Sequence, residues 1–179
     1  MTVFGDPNRF AMIIEALPQW TSEGGYSNGI FHFVVDQKIF PPTVRVATLS
    51  ADICCLGEGN ALHDLPENQL ISGMPAPQAF YEILRTMRPG YVMDEDDVPD
   101  DFISDYTYQA STYNLEEGGC YAFAVADGPR VRILAADVHR SEGSMLENSG
   151  SWPDVSEVWI ERWELASIIE AVRQEFCNV

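Results

Sequence analysis

Three groups of side chains in this sequence could do chemistry: a His–Asp pair, several cysteines and a run of aspartates. His63 and Asp64 could form an acid–base pair, although neighbours in a chain usually point apart. Cys54, Cys55 or Cys120 could supply a thiol nucleophile, but no nucleophile elbow or cysteine-protease signature surrounds them. HExxH, P-loop and GxGxxG patterns are also missing from the sequence. We therefore expect no catalytic residues, no cofactor and no enzyme activity.

The acidic residues are concentrated in one part of the chain. Residues 89–129 contain ten Asp or Glu residues and no Lys or Arg, and several tyrosines lie among them. We call residues 94–105 the acidic stretch. Its start resembles a calcium loop, but Val98 and Pro99 occupy the positions of a ligand and of the required glycine, so we expect no metal site. Two interpretations remain, a solvated loop that keeps the protein soluble and a face that binds a basic partner.

Length and charge narrow the class of protein. The chain has 179 residues, 46% of them hydrophobic, and a formal net charge of −18 at pH 7. This length and composition predict one domain, residues 1–179, with its own core. The charge disfavours nucleic acid and anionic membranes as partners, because both would be repelled. The sequence shows neither a signal peptide nor a membrane-spanning run, so we expect a cytoplasmic protein with reduced thiols.

Hydrophobic patterning predicts the elements that position these groups. The apolar runs predict strands at 9–16, 30–35, 39–40, 44–47 and 155–160, and a hairpin at 120–138 with arms at 120–126 and 130–138. Helices are predicted at 50–56, 77–87 and 165–176, turns at 28–29 and 36–38, and loops at 57–73, 89–118 and 141–153. Trp159 and Trp163 are expected in the core or as staple residues at the last strand–helix junction. Without a βαβ rhythm, the pattern predicts an α+β fold, an antiparallel β-sheet with two main helices packed on it.

Several short motifs along nearly the whole chain resemble one family. They are FGDPNRFA at 4–11, Trp20 followed by NGIF at 28–31, RVATL at 45–49, the hairpin GCYAFAV at 119–125 with VRILA at 131–135, and SEVWI at 156–160. In this order they are similar to the bacterial Immunity protein 42 family. None of them is a catalytic signature, and the acidic stretch lies outside the resemblance.

The resemblance implies a cytoplasmic immunity protein that binds and neutralises a cognate polymorphic toxin domain, by occluding its active or substrate-binding surface. An acidic protein would suit a basic nuclease toxin, because carboxylates can imitate the phosphates that such an enzyme binds. On this hypothesis the aspartates pair with toxin Arg and Lys residues, and two tyrosines pack beside them. The residues are Asp96, Asp97, Asp100, Asp101, Asp105, Tyr106 and Tyr108. The alternatives are a small α+β enzyme or metal-binding protein using His63 and Asp64, and a general adaptor.

Overall fold

The first five strands form an antiparallel sheet in the order β1-β2-β3-β4, with β5 paired to the start of β3. The computed structural model describes residues 1–21, 23–138 and 154–176. The predicted turn at 36–38 is confirmed as a tight β3–β4 hairpin, in which Asp36 and Gln37 have φ of 50° and 66°. The strands are β1 Thr2–Gly5, β2 Phe10–Ala16, β3 Asn28–Val35, β4 Lys38–Phe40 and β5 Ala47–Thr48.

The turn predicted at residues 28–29 is wrong. Asn28 and Gly29 belong to β3, where Gly29 pairs with Ala16 on one side and Ala47 on the other. A Cβ at Gly29 would lie 2.0 Å from the carbonyl oxygen of Glu15. The glycine therefore permits close backbone approach inside the sheet, a use of glycine that local sequence does not separate from a turn.

Three further strands form a second antiparallel sheet in the order β6-β7-β8. The predicted hairpin at 120–138 and the last strand are both confirmed. Side chains of β6 alternate between two hydrophobic cores: Ala122 and Ala124 belong to the main core, and Tyr121 and Phe123 to the other. The strands are β6 Cys120–Asp127, β7 Arg130–Asp137 and β8 Ser156–Glu161.

The helices flank these sheets. The two main predicted helices are confirmed as α4 and α6. The predicted loop at 89–118 is wrong near its end, which forms a short helix at Tyr113–Glu117. The predicted loop at 57–73 is wrong as well, because it contains two short helices. Asn60 and Asn68 cap them through side-chain oxygens that accept backbone N–H groups. The helices are α1 Leu49–Cys54, α2 Ala61–Asp64, α3 Gln69–Gly73, α4 Ala76–Met87, α5 Tyr113–Glu117 and α6 Arg162–Phe176.

Two hydrophobic cores hold the elements together. In the main core, α6 and the first sheet pack against the inner face of the second sheet. In the second, which we call the α4 core, helix α4 packs on the outer face of β6 and β7, with the rings of Phe80 and Phe123 4.9 Å apart. The α+β class with antiparallel pairing is confirmed, and its strands divide between two sheets. In the described part of the chain, no helix has the length and apolar composition to cross a membrane.

Candidate functional site

The acidic stretch follows α4 and is held to it at both ends. Val92, just before the stretch, is buried in the α4 core. At the other end, the backbone N–H of Asp105 donates to the carbonyl of Thr86 at 2.9 Å, and Asp105 Oδ1 accepts the N–H of Thr107. Between these points the chain is irregular apart from a 3-10 turn at Glu95–Asp97. The backbone of the acidic stretch is thus fixed to α4 at both ends, and the described acidic side chains between these ends do not take part in the attachment.

All five aspartates predicted to bind a partner are exposed. Among the described residues, none of them forms an ion pair with Lys or Arg. By contrast, the acids of α5 are neutralised internally, since Arg88 pairs with Glu116 at 3.3 Å and Arg45 with Glu117 at 3.3 Å. The negative charges of Asp96, Asp97, Asp100, Asp101 and Asp105 are therefore not compensated by a paired cation within the described residues.

The two predicted tyrosines differ in how they are held. Tyr106 is 41% exposed, and the guanidinium of Arg88 lies 5.7 Å from its ring centroid. Tyr108 is half-buried against the α4 core, and its hydroxyl accepts a hydrogen bond from Asn68 Nδ2 at 2.9 Å. Tyr106 thus presents its ring beside the aspartates, whereas Tyr108 mainly anchors the chain behind them.

Two clefts continue this surface away from the acidic stretch. The smaller, about 360 Å³, has Arg88, Tyr106 and Tyr113 in its lining. The larger, about 540 Å³, shares Tyr113 and lies between α1, α5 and the segment that leads into β5. Tyr113 therefore joins the two clefts into one surface that begins at Tyr106. The larger cleft is lined by Tyr26, Val46, Ala47, Thr48, Ser50, Ala51, Asp52, Tyr113, Asn114 and Glu117.

The larger cleft has polar groups at its floor. Asp52 is 1% exposed, and its Oδ1 accepts the backbone N–H of Asn114 at 2.9 Å. The side chain of Asn114 donates through Nδ2 to the carbonyl of Phe31 at 2.8 Å, while its Oδ1 has no hydrogen-bond partner among the described residues. Burial raises the pKa of the Asp52 carboxyl, the Asn114 N–H opposes that shift, and the nearby charge of Glu117 adds to it.

Sequence reasoning missed this cleft. Tyr113 belongs to the acidic and aromatic window that the sequence had shown, but Tyr26, Val46 and Asp52 lie far from it in the chain. Only the pairing of β5 with the start of β3 and the packing of α1 against α5 bring them together. No local spacing carries that information.

Replacing Asp52 with Asn is expected to stabilise the isolated protein at neutral pH by several degrees in Tm. A carboxyl whose pKa is raised on folding stabilises the fold below its ordinary value of 3.8 and loses that contribution as pH rises through the raised pKa. Asn keeps an oxygen to accept the Asn114 N–H but removes the buried charge. Thermal unfolding from pH 3 to pH 8 measures the effect, with exposed Asp101→Asn as the control. A gain of the same size at pH 3 would show that ionisation of Asp52 is not its cause.

Comparison with known proteins identifies the chain. The sequence matches the family Immunity protein 42 over residues 1–175. The chain belongs to the Immunity protein 42 family. The match confirms the resemblance found in the motifs, and the protein is thus an immunity protein. No curated protein matches the sequence.

A solved structure has the same fold as this immunity protein. It is the crystal structure of CdiI from Burkholderia dolosa AUO158, similar with a TM-score of 0.70 at 20% sequence identity. The alignment covers 97% of this chain and 99% of that chain. At this identity the likeness concerns the arrangement of strands and helices, and it extends across both sheets.

In this immunity protein the side chains of His63 and Asp64 contact each other, contrary to the expectation that they point apart. His63 Nδ1 donates to Asp64 Oδ1 at 2.7 Å. That hydrogen bond, together with one from the backbone N–H of Gly59, lowers the pKa of Asp64. Both side chains are exposed, and neither lines the two clefts described above. The pair thus lies at a surface turn, outside both of the clefts in which a small molecule could be held.

The other candidate catalytic groups are mostly structural. His32 is buried, and its Nδ1 donates to the carbonyl of Pro41 at 3.0 Å; burial lowers its pKa and keeps the ring neutral. Burial also raises the pKa of the Cys120 thiol to about 12. The side chain of Cys54 is exposed. Trp163 is 70% exposed, so the prediction that Trp163 lies in the core is wrong. His139, Cys177 and the predicted loop at 141–153 lie outside the described residues.

Proposed function

We propose that this immunity protein acts in the cytoplasm, where it binds its cognate toxin domain and covers the toxin's active or substrate-binding surface. The contact face would comprise the acidic stretch, Tyr106 and the clefts on either side of Tyr113. Inhibition by binding requires no catalytic group in the immunity protein itself. The solved structure of similar fold is titled as a CdiI protein, in keeping with a role in toxin immunity.

The observation that carries this proposal is the uncompensated charge of the acidic stretch. Its five predicted contact aspartates are exposed and form no ion pair among the described residues. Unpaired carboxylates on one face attract a basic partner and orient it before contact, which raises the association rate. Exposed tyrosines beside them supply rigid contact area that excludes water from the charge pairs.

The same charge favours a nuclease as the toxin. An enzyme that cleaves DNA or RNA holds the phosphate backbone with Lys and Arg side chains. The carboxylates of the acidic stretch can occupy that basic surface and displace the nucleic-acid substrate. The carboxylates would not attract a toxin whose active-site surface is acidic or neutral.

Coexpression tests the proposed function. The toxin domain to test is the C-terminal domain of a large secreted protein encoded by the neighbouring gene, and sequencing of that gene is the first step of the experiment. We expect bacteria that express the toxin domain alone to stop growing, and growth to return when the immunity protein is coexpressed. The two purified proteins should form a stable complex in size-exclusion chromatography, and the complex should have lost nuclease activity on plasmid DNA or total RNA.

The matched control is the toxin domain of an unrelated system, which the immunity protein should neither bind nor neutralise. Persisting growth arrest together with no complex would refute toxin binding. Rescue of growth without a complex would instead point to the alternative of an enzyme that repairs or modifies the toxin's target. A complex whose toxin lacks nuclease activity from the outset would refute the nuclease assignment alone.

A further inference from the structure

We propose that the larger cleft is a receptor for one arginine side chain of the toxin, held between Tyr26 and Tyr113 above Asp52 and Asn114. The inference rests on the proposed function, since it names a specific contact within the toxin complex. It differs from the role of the acidic stretch, because the cleft would retain the bound toxin rather than attract it from a distance.

Within the described residues, the floor of the cleft has one acceptor without a donor, Asn114 Oδ1, and one buried carboxyl without a cation, that of Asp52. Asp52 and Asn114 are buried residues on neighbouring helices, and Asn114 Oδ1 has no hydrogen-bond partner among the described residues. Within the same residues, Asp52 forms no ion pair with Lys or Arg. A buried acceptor without a partner is rare in folded proteins, and a buried carboxylate is normally paired. Both are satisfied at once by a donor that enters from outside.

The walls of the cleft are apolar and exposed. Tyr26 is 77% exposed, Tyr113 is 64% exposed, and Val46 is also exposed. In the free protein these aromatic rings are exposed to water around an acidic floor. In a complex the same rings can contact a cationic side chain whose stem is flat or apolar. The rings can cover the stem of the side chain and shield its charge from water.

The charged groups at the rim form an ion pair with each other, so the unpaired charge of the cleft, among the described residues, is that of Asp52 in its floor. Glu117 lines the cleft, and Arg45 holds it there by donating from Nη1 to its carbonyl at 2.8 Å and from Nη2 to its carboxylate at 3.3 Å. Arginine fits better than lysine, because its planar guanidinium stacks on tyrosine and offers five donors in a fixed fork. Those donors can reach Asp52 and Asn114 Oδ1 together, which a single ammonium group does less well.

The experiment measures association and dissociation rates of the purified toxin domain on immobilised full-length immunity protein. The variants are Asp52→Asn and Tyr113→Ala, each checked for native secondary structure by circular dichroism and for a Tm no lower than that of the wild type. We expect dissociation to accelerate about tenfold in each variant with little change in the association rate, because a desolvated charge pair and an aromatic anchor act on residence time. The control is Trp163→Ala, an aromatic residue of similar exposure that does not line the cleft, and it should behave as wild type.

Alanine scanning of the toxin's Arg and Lys residues then identifies the occupant. We expect one arginine whose loss has no further effect in the Asp52→Asn background, so that the pair is coupled in a double-mutant cycle. Coupling to a lysine, or to no basic residue, would overturn the assignment. A free immunity protein that dimerises through Tyr113 in sedimentation experiments would assign the cleft to a second copy and overturn it equally.

The result separates the two proposals. If no toxin complex forms with the wild-type protein, the proposed function fails and the receptor fails with it. If the complex forms and both cleft variants dissociate at the wild-type rate, the receptor is refuted while toxin binding stands.

Discussion

Neutralising four aspartates of the acidic stretch is expected to slow association with the toxin by about tenfold or more at low ionic strength. The affected residues are Asp96, Asp97, Asp100 and Asp101. All are exposed and unpaired among the described residues, so their replacement by Asn removes long-range attraction without removing an internal contact. Dissociation should change much less, because exposed charges at the edge of an interface contribute mainly to the encounter.

Salt dependence is the second readout of the same variant. Attraction between exposed charges is screened over about 8 Å at physiological ionic strength. The association rate of the wild type should therefore fall steeply as salt is added, and that of the fourfold variant should fall less. Stopped-flow or surface-based kinetics from low to high salt measure both slopes, and the two proteins should converge at high salt.

A charge-matched variant separates local charge from net charge. Replacing four acids on other surfaces removes the same four negative charges, from −18 to −14. If this control slows association as much as the fourfold variant, only total charge matters and the acidic stretch is not the docking face. If neither variant alters rate or salt slope, the stretch is a solubilising loop. The control residues are Glu23, Asp127, Glu170 and Glu175.

Replacing Arg132 with Met is expected to destabilise the fold by about 3–5 kcal/mol. The side chain of Arg132 is 3% exposed, and its Nε lies 2.7 Å from Glu157 Oε1. Its Nη1 donates to the carbonyls of Ile71, Ser72 and Met74 at the end of α3, at 2.8 to 3.1 Å. Removing the guanidinium leaves these carbonyls without that donor and Glu157 without its cation, a larger loss than that of a surface ion pair.

Urea denaturation measures this loss, and the neighbouring strand residue Arg130 provides the control. Arg130 is exposed, and its guanidinium lies 4.9 Å from the ring centroid of Trp159. Arg130→Met removes the same charge from the same strand but should cost no more than about 1 kcal/mol. Equal effects of the two substitutions would mean that the hydrogen bonds of Arg132 to α3 contribute little to stability.

Elements with strong local patterns could be predicted from the sequence. The β3–β4 and β6–β7 hairpins combine apolar strands with short polar turns, and α4 and α6 have apolar residues at helical spacing, so local physics suffices for them. Helices α2 and α3 span only a turn or so and depend on capping by Asn60 and Asn68 and on tertiary contacts, which a pattern of apolar residues does not reveal. The same limit explains the misplaced turn at Gly29.

The candidate site was predictable only where its residues are contiguous in sequence. The acidic stretch is one segment, and its composition left two interpretations open, a solvated loop and a face for a basic partner. The larger cleft brings Tyr26 and Asp52 to Tyr113, and their proximity is a product of the β5–β3 pairing and helix packing. Burial of Asp52 also runs against its residue type, so no composition rule would have placed it in the floor of a cleft.

If the acidic stretch is the docking face that we propose, its attachment to α4 separates the contacts that hold the fold together from the side chains that would discriminate between partners. Its backbone is fixed through Val92 and the Asp105–Thr86 hydrogen bond, whereas Asp96, Asp97, Asp100 and Asp101 are exposed and form no ion pair among the described residues. Exposed substitutions of this kind usually change stability by no more than about 0.5 kcal/mol. An evolving lineage can therefore rewrite the charges one by one as an opposing toxin changes, and keep the same scaffold throughout.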